Sequence, residues 1–311
     1  MPQSRPPVPA YEPGEPVAAV DTHFHLWDLT ANYYPWLTDK VQPRVIGDYA
    51  AIRKDYLIGN FLADIAGSNI VKAVHIQAEH DHTDPVRETR WVQGVADNPA
   101  SRGFPQAIVA YADLGAPDAE AMLEAHCAFP NMRGIRQSLI QHKVDPNARD
   151  PRESPTWAEN FKLMRQFNLS FDIQLFHADM EFGAQLIGKQ PDVQFILTHT
   201  GLPMQQHDAA YMAFWRAGMR LLATRPNLTC KLSGFGFLDR EWTIDSIRPL
   251  VLETIDIFGI DRCVFASNYP VDGLSCDYAA FWRAFNVITR GFSADERAKL
   301  FRTNAERVYR I

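Results

Sequence analysis

The chain is poor in cysteine, and its four cysteines, Cys127, Cys230, Cys263 and Cys276, lie far apart with no Cys-x-x-Cys pair. That spacing excludes a zinc knuckle and argues against a disulfide framework. Cys230 and Cys263 fall inside apolar runs, where a small buried thiol is the expected state. We therefore expect a protein of the reducing cytoplasm.

Long apolar runs, basic clusters and a glycine-rich nucleotide turn are also missing from the sequence. No apolar stretch is long enough to cross a bilayer, so no membrane partner is expected. The formal net charge of -6, with no Lys/Arg cluster, argues against a nucleic-acid partner. The absence of a Gly-x-Gly-x-x-Gly turn counts against an open doubly wound sheet.

The rest of the composition is that of an ordinary globular enzyme. Hydrophobic residues make up 46% and charged residues 22% of a chain of 311 residues. Residues 1–16 are rich in proline and lack the apolar core of a signal peptide, so we expect a disordered or surface-draped leader. Residues 17–311 are expected to form a single domain.

Short apolar segments alternate with helix-like segments from residue 17 onward. The predicted strands cover residues 17–26, 71–78, 104–111, 132–139, 170–176, 193–199, 228–232 and 263–267. The predicted helices cover residues 55–66, 85–96, 118–129, 156–167, 180–189, 209–223, 244–258 and 277–289, and a last helix, 294–309, opens on a capping box at 293–296. Eight strand–helix units predict an α/β fold of the (β/α)8 TIM-barrel type.

The most informative motif is the run from Val20 to His25, which carries two histidines two positions apart. Alternate residues of a strand share a face, so His23 and His25 should leave the backbone side by side. Val20, Thr22 and Phe24 are expected to point the other way, into an apolar layer. Two imidazoles at a strand end can bind a metal ion or polarise a substrate carbonyl, so we predict catalytic roles for both.

Other polar residues follow predicted strands, where barrel enzymes carry their chemistry. His199 follows a wholly apolar strand, which favours a catalytic or ligand role. Arg136 should meet a carboxylate, either of the substrate or of the protein. Further candidates for substrate binding are Gln77, Gln174, Lys231, and Trp36 in the aromatic segment 28–55 that is predicted to cover the barrel mouth.

For some of these polar residues a structural role competes with the functional one. Lys231 can pair with an Asp or Glu of the protein, and that alternative is slightly favoured. His177 fits a surface loop as well as a ligand role, and His75 fits a position below the mouth. The remaining histidines lie in polar or helical segments where solvated side chains are expected: His80, His82, His126, His142 and His207.

Six motifs follow one another along the chain: Asp21-Thr-His-Phe-His-Leu-Trp27, Tyr34-Pro-Trp-Leu37, Gly134-Ile-Arg-Gln137, Thr198-His-Thr-Gly201, Lys231-Leu-Ser-Gly234 and Phe265-Ala-Ser-Asn-Tyr-Pro-Val271. Together they resemble the amidohydrolase superfamily, in its amidohydrolase-2 group of pyrone-dicarboxylate and sugar lactonases. The resemblance implies a distorted barrel and hydrolysis of a small lactone. It implies His23, His25, His177 and His199 as ligands if a divalent metal, zinc or manganese, is bound. It also implies that no metal is required, as in many lactonases of this group.

Asn268 departs from the family pattern, which has an aspartate at this point after the last strand. A carboxamide cannot act as a general base near neutral pH, and it brings no negative charge to a cation. We expect Asn268 to position water while another group takes the proton. His199 and Asp272 are the candidates, and Asp272 has a second interpretation as the cap of the following helix.

These observations predict a hydrolase that opens a small, polar, anionic lactone or ester. Two alternatives are a metal-dependent decarboxylase of an aromatic acid on the same fold and a non-catalytic ligand-binding barrel. Trp215 and Trp282, expected to be exposed on helices, leave room for a homodimer.

Overall fold

A computed structural model describes residues 17–311, and the predicted leader lies outside that range. Eight parallel strands form one sheet in sequential order. They are β1 (Ala19–Phe24), β2 (Ile70–Ile76), β3 (Ala107–Ala110), β4 (Met132–Ile135), β5 (Ser170–Ile173), β6 (Phe195–Leu197), β7 (Leu228–Leu232) and β8 (Cys263–Phe265).

Helices connect consecutive strands and cover the outside of the sheet. They are α1 (Pro35–Thr38), α2 (Ile58–Asp64), α3 (Pro85–Asp97), α4 (Ala119–Cys127), α5 (Phe161–Gln166), α6 (Met180–Lys189), α7 (Ala209–Ala223), α8 (Phe235–Leu238), α9 (Ile244–Phe258), α10 (Tyr278–Ile288), α11 (Ala294–Ala298) and α12 (Asn304–Tyr309). The predicted (β/α)8 fold is confirmed.

The barrel closes where β1 meets the chain that follows β8. Asn268 N–H donates to His23 O at 2.8 Å, and His25 N–H donates to Tyr269 O at 2.8 Å. Phe24 and Tyr269 form a parallel bridge at the same point. The closure therefore brings the histidine motif and Asn268 together at one end of the barrel.

Asp21 holds this closure from the outer side of β1. Its buried carboxylate accepts the Ser267 N–H at 2.9 Å, the Ser267 hydroxyl at 2.6 Å and the Tyr278 hydroxyl at 2.8 Å. Burial raises the pKa of Asp21, and these hydrogen bonds oppose the shift. One carboxylate thus ties β1 to β8 and to α10.

A register irregularity in β1, between Asp21 and Phe24, changes which side chains face the barrel interior. Val20 belongs to an inner apolar cluster with residues of β2, β3, β6 and β8, and α12 packs against it. Phe24 lies in the outer layer and stacks on Phe61 at 4.0 Å. The expectation that Val20 and Phe24 share a face is wrong, because a bulge re-aims the residues that follow it.

The other predicted elements are present with small shifts at their ends. Helices α6, α7 and α9 match their predicted ranges, and the capping box at Ser293 is formed. Most predicted strands are longer than the observed ones. The apolar pattern continues into segments near the barrel mouth that are no longer part of the paired strands. Two short helices, α1 and α8, were not predicted.

Two expectations about side-chain exposure are wrong. Trp215 and Trp282 are 0% and 3% exposed, so they offer no surface for a homodimer. His126 is fully buried between Thr89 and Tyr111, and His80 is buried beside Asp81. Among the described residues, no helix is both long and apolar enough to cross a membrane.

A buried ion pair lies inside the barrel. Lys231 Nζ of β7 is 2.5 Å from Asp172 Oδ2 of β5, and both side chains are 0% exposed. The Tyr309 hydroxyl lies 3.4 Å from the same carboxylate. These contacts support the structural interpretation of Lys231.

Removing one partner of this pair should leave an uncompensated buried charge. We expect Lys231→Met to lower the free energy of unfolding by about 3–5 kcal/mol. The double variant Lys231→Met/Asp172→Leu should recover most of that loss. Urea unfolding followed by circular dichroism measures both. Arg165→Met is the control: it breaks an exposed pair with Asp192 and should change stability by at most about 1 kcal/mol. A double variant as unstable as the single one would contradict the assignment.

Candidate active site

A cleft opens at the carboxyl end of the strands. Its floor is formed by residues that follow strands: His25, Glu79, Arg136, Gln174, His199 and Asn268. Its walls include Trp36, Arg44, Phe237 and Val271. Segment 28–55 thus covers the barrel mouth as predicted, and it supplies both Trp36 and Arg44.

His25 lines the base of this cleft, and His23 lies buried beside it. His25 Nδ1–H donates to Ile76 O at 2.7 Å, because a carbonyl can only accept, and the neutral ring then has its lone pair on Nε2. His23 Nε2 lies 3.2 Å from this atom and can donate to it. The ring centroids of His199 and His23 are 4.6 Å apart.

All three imidazoles are held neutral. Burial lowers the pKa of His23, His25 and His199 well below the usual value, and the charge of Arg136 lowers each further. Lys231, beneath them in the barrel, adds to the effect at His23 and His199. Each ring is therefore in the unprotonated form at neutral pH, with a lone pair on one ring nitrogen that can accept a hydrogen bond or a proton.

Three floor residues have left-handed backbone conformations although none is glycine. Their φ angles are 57° at Glu79, 52° at His199 and 56° at Asn268. Such conformations are uncommon for residues with a side chain and cluster at functional sites. Here they occur where the chain turns soon after the ends of β2, β6 and β8, and all three residues line the cleft.

Arg136 brings a buried cation to the same floor. Its Nη2 donates to Gln77 O at 2.6 Å and lies 3.8 Å from Glu79 Oε1, and its Nη1 lies 3.5 Å from His23 Nε2. Its buried Nε has no hydrogen-bond partner among residues 17–311. Arg136 also lines the cleft, so its guanidinium can contact a ligand there.

Glu79 and Arg44 line the cleft but were not predicted as site residues. Burial opposes ionisation of Glu79, but the hydrogen bond and charge of His82, with the charges of Arg44 and Arg136, hold its pKa well below the usual range. Arg44 lies over the Trp36 ring at 5.3 Å, and its Nε is buried without a partner in the described part of the chain. Their positions in the sequence could have identified them as site residues. Glu79 follows Gln77 by two residues, and Arg44 lies in the segment that covers the barrel mouth.

Asn268 and Asp272 form a hydrogen-bonded couple behind the floor. Asn268 Nδ2 donates to Asp272 Oδ1 at 3.0 Å. Asp272 is fully buried and also accepts the backbone N–H groups of Gly236 and Phe237, each at 3.2 Å. The predicted cap of the following helix is therefore wrong: Asp272 serves α8, and Asp277 caps α10. Burial raises the pKa of Asp272 to about 7, although these hydrogen bonds oppose the shift.

The remaining predicted residues divide between the cleft and its surroundings. Gln174 and Trp36 line the cleft. Gln77 lies behind it, with its amide donating to Glu79 Oε1 at 2.8 Å. His177 packs against Tyr211 outside the floor, with ring centroids 4.4 Å apart, so the structure does not bring it to the other histidines. His75 is fully buried below the mouth.

Comparison with known proteins agrees with the predicted family. The Amidohydro_2 model, which describes amidohydrolases, matches residues 20–311. The chain belongs to the amidohydrolase family. This amidohydrolase is 48% identical over 299 residues to the uncharacterized protein y4mH of Sinorhizobium fredii, covering 95% of this chain and 99% of that protein.

More distant relatives of this amidohydrolase carry functional names. It is 27% identical over 306 residues to the L-fucono-1,5-lactonase of Burkholderia ambifaria, covering 94% and 95% of the two chains. It has the fold of an amidohydrolase from Burkholderia multivorans solved with bound zinc, at a TM-score of 0.78 and 22% identity over 95% of this chain and 100% of that one.

The donor set of this site does not fit a tightly bound divalent metal. The His23 and His25 nitrogens are close enough to share a cation, but Asn268 supplies an amide where a carboxylate would add negative charge. The guanidinium of Arg136 lies 3.5 Å from His23 Nε2 and repels a cation there. Within residues 17–311, no group of three or more His, Cys, Asp or Glu side chains is arranged to hold a metal ion.

Zinc titration should reflect this misfit. We expect metal-free protein to bind zinc far more weakly than the roughly 10–16 kcal/mol of a structural zinc site, as measured by isothermal titration calorimetry. Asn268→Asp, which restores the carboxylate, should tighten binding. Stoichiometric zinc bound by the unmodified protein as tightly as by Asn268→Asp would contradict the argument.

Proposed function

We propose that this amidohydrolase is a lactonase that opens a small, polar lactone by attack of water on its carbonyl carbon. The observation that carries the proposal is the cleft floor, where the neutral imidazole of His199 and the guanidinium of Arg136 line the same cleft. The lactonase names of several relatives support the same reaction class. The decarboxylase alternative has support from shared fold only.

Arg136 is the proposed electrophilic group. When water adds to the carbonyl carbon, negative charge develops on the carbonyl oxygen, and a positioned guanidinium stabilises that charge. Arg136 is held by Gln77 O and Glu79, so little reorganisation is needed when the charge forms. This arrangement supplies cationic assistance from the chain itself.

His199 is the proposed base. It lines the cleft as a neutral ring, and its Nδ1 lies 3.0 Å from the Ser233 hydroxyl, which orients it. We assign it the proton of the attacking water, which Asn268 positions, while His23 and His25 complete the polar floor. As the tetrahedral intermediate collapses, the ring C–O bond breaks and the proton passes from His199 to the departing ring oxygen. Asp272 is left out of this step, because its oxygens are engaged behind Asn268.

An anionic substrate is supported by the two arginines of the cleft. Arg44 and Arg136 both line it, and each has a buried Nε without a partner within residues 17–311. Glu79 offsets part of this positive charge. A carboxylate on the substrate, outside the reacting ester, would satisfy the free donors on the Arg44 side.

Two further predictions from the sequence stay predictions: a cytoplasmic location and a homodimer. The buried Trp215 and Trp282 remove the reason first given for the dimer.

Replacing His199 should remove the proton acceptor while keeping the backbone geometry. Asparagine tolerates the left-handed conformation, so His199→Asn is preferred to alanine. We expect kcat for L-fucono-1,5-lactone, or for whichever lactone proves the better substrate, to fall by about 10²–10⁴-fold. A pH-indicator assay of acid release measures it. His207→Asn, at an exposed histidine, should leave kcat unchanged. Equal rates for both variants would refute the role of His199.

Arg44→Met tests substrate charge. For a lactone that carries a carboxylate, we expect KM to rise about tenfold, equivalent to roughly 1.4 kcal/mol, with kcat little changed. For a neutral sugar lactone, KM should stay within the error of the measurement. A similar rise for both substrates would show that Arg44 does not recognise negative charge.

A further inference from the structure

Asn268 stands where the sequence departs from the family pattern, and its side chain can present either of two different atoms to the cleft. A carboxamide has a donor NH2 at one end and an acceptor oxygen at the other. Which end faces the substrate decides whether the floor offers a donor or an acceptor. The hydrogen-bond partners of Asn268 settle that orientation.

Asp272 accepts hydrogen bonds from three donors. Its Oδ1 accepts from Asn268 Nδ2 and from Phe237 N–H, and its Oδ2 accepts from Gly236 N–H. An ionised carboxylate has acceptors at both ends and no donor, so it suits this set of partners. An amide at the same place would turn its own NH2 toward one of the donors.

The local chain is built for this close approach. A Cβ added at Gly236 would lie 2.9 Å from Asp272 Cβ and 3.0 Å from Asp272 Cγ, so a side chain there would displace the carboxylate. The backbone also joins the two residues, because Asp272 N–H donates to Asn268 O at 3.0 Å. Backbone and side chain thus agree on one arrangement.

With Nδ2 engaged by Asp272, the oxygen of Asn268 is the atom on the opposite side of the carboxamide. Asn268 lines the cleft beside His25, so its oxygen is the end of the carboxamide that is left to face the cleft. We propose that Asp272 is a positioning residue: it holds the Asn268 carboxamide with its oxygen toward the cleft, as the acceptor that orients the attacking water. This inference rests on the proposed lactonase function and assigns the orientation of water to a pair, Asn268 and Asp272, four residues apart.

The pair keeps one property of the family's aspartate and gives up another. An oxygen acceptor stands at the floor, so water can donate an O–H to it. The oxygen belongs to an amide, so it cannot take the proton that water releases. The proton therefore goes to another group, which the proposed function assigns as His199.

Three variants and one control test the proposal through steady-state kinetics on a lactone. Asp272→Asn is almost isosteric, and it allows the Asn268 carboxamide to flip so that its NH2 faces the cleft. We therefore expect kcat to fall on the order of 10²-fold, with KM changed far less. Asn268→Asp alone places two carboxylates side by side and should also be impaired. Asp277→Asn, a neighbouring cap where asparagine serves equally well, is the control and should match the unmodified protein.

The double variant Asn268→Asp/Asp272→Asn decides between positioning and a merely structural role. A carboxylate at 268 presents an oxygen to the cleft whichever way it turns, and the amide at 272 supplies its donor. We expect kcat of the double variant to exceed that of both single variants. A double variant no better than Asp272→Asn, or Asp272→Asn with unchanged kcat, would overturn the proposal.

Folding and function are separated by two further measurements. Thermal unfolding of each variant shows whether it folds. If Asp272→Asn does not fold, a double variant that is folded and active still supports the proposed pairing of Asn268 with Asp272. A double variant that also fails to fold contradicts it. If the unmodified protein opens no lactone, the proposed function fails. A crystal structure at about 1.2 Å or better then tests the positioning alone, because it shows which end of Asn268 faces the cleft.

Discussion

The closure of the barrel between β1 and β8 is the constraint on which the site depends. Asp21 accepts hydrogen bonds from Ser267 and Tyr278, and the backbone of His23 accepts from Asn268 N–H. These contacts bring residues separated by nearly the whole chain into one floor. A bulge in the pairing of β1 with β2, at the same end of the barrel, separates His25, which lines the cleft, from Phe24, which packs in the outer layer.

The chemistry of the floor follows from burial and from cations supplied by the chain. Burial and the charge of Arg136 lower the pKa of all three imidazoles, and the charge of Lys231 adds to the effect at His23 and His199. Lys231 is balanced by Asp172, whereas Arg136 is held by Gln77 O at 2.6 Å and lies 3.8 Å from Glu79 Oε1. A site with neutral bases and a partly unpaired guanidinium is suited to stabilising an oxyanion without an added cation.

The fold and much of the floor could be predicted from the sequence, because strand-end positions are visible as polar residues after apolar runs. His25, Arg136, His199 and Asn268 were found in this way. Glu79 and Arg44 were not, since their roles depend on mutual charge contacts and on how the mouth segment folds back. The engagement of Asp272 with α8 was also hidden, because α8 is a short helix in a loop without its own periodicity.

The most direct test of this account is the rate of lactone opening by protein stripped of metal with a chelator. Assayed in metal-free buffer against a panel of neutral and carboxylate-bearing lactones, the stripped protein should turn over at the rate of the untreated protein, and added zinc should not raise it. Activity that is lost on stripping and restored by stoichiometric zinc would contradict the assignment of Arg136 as the electrophilic group.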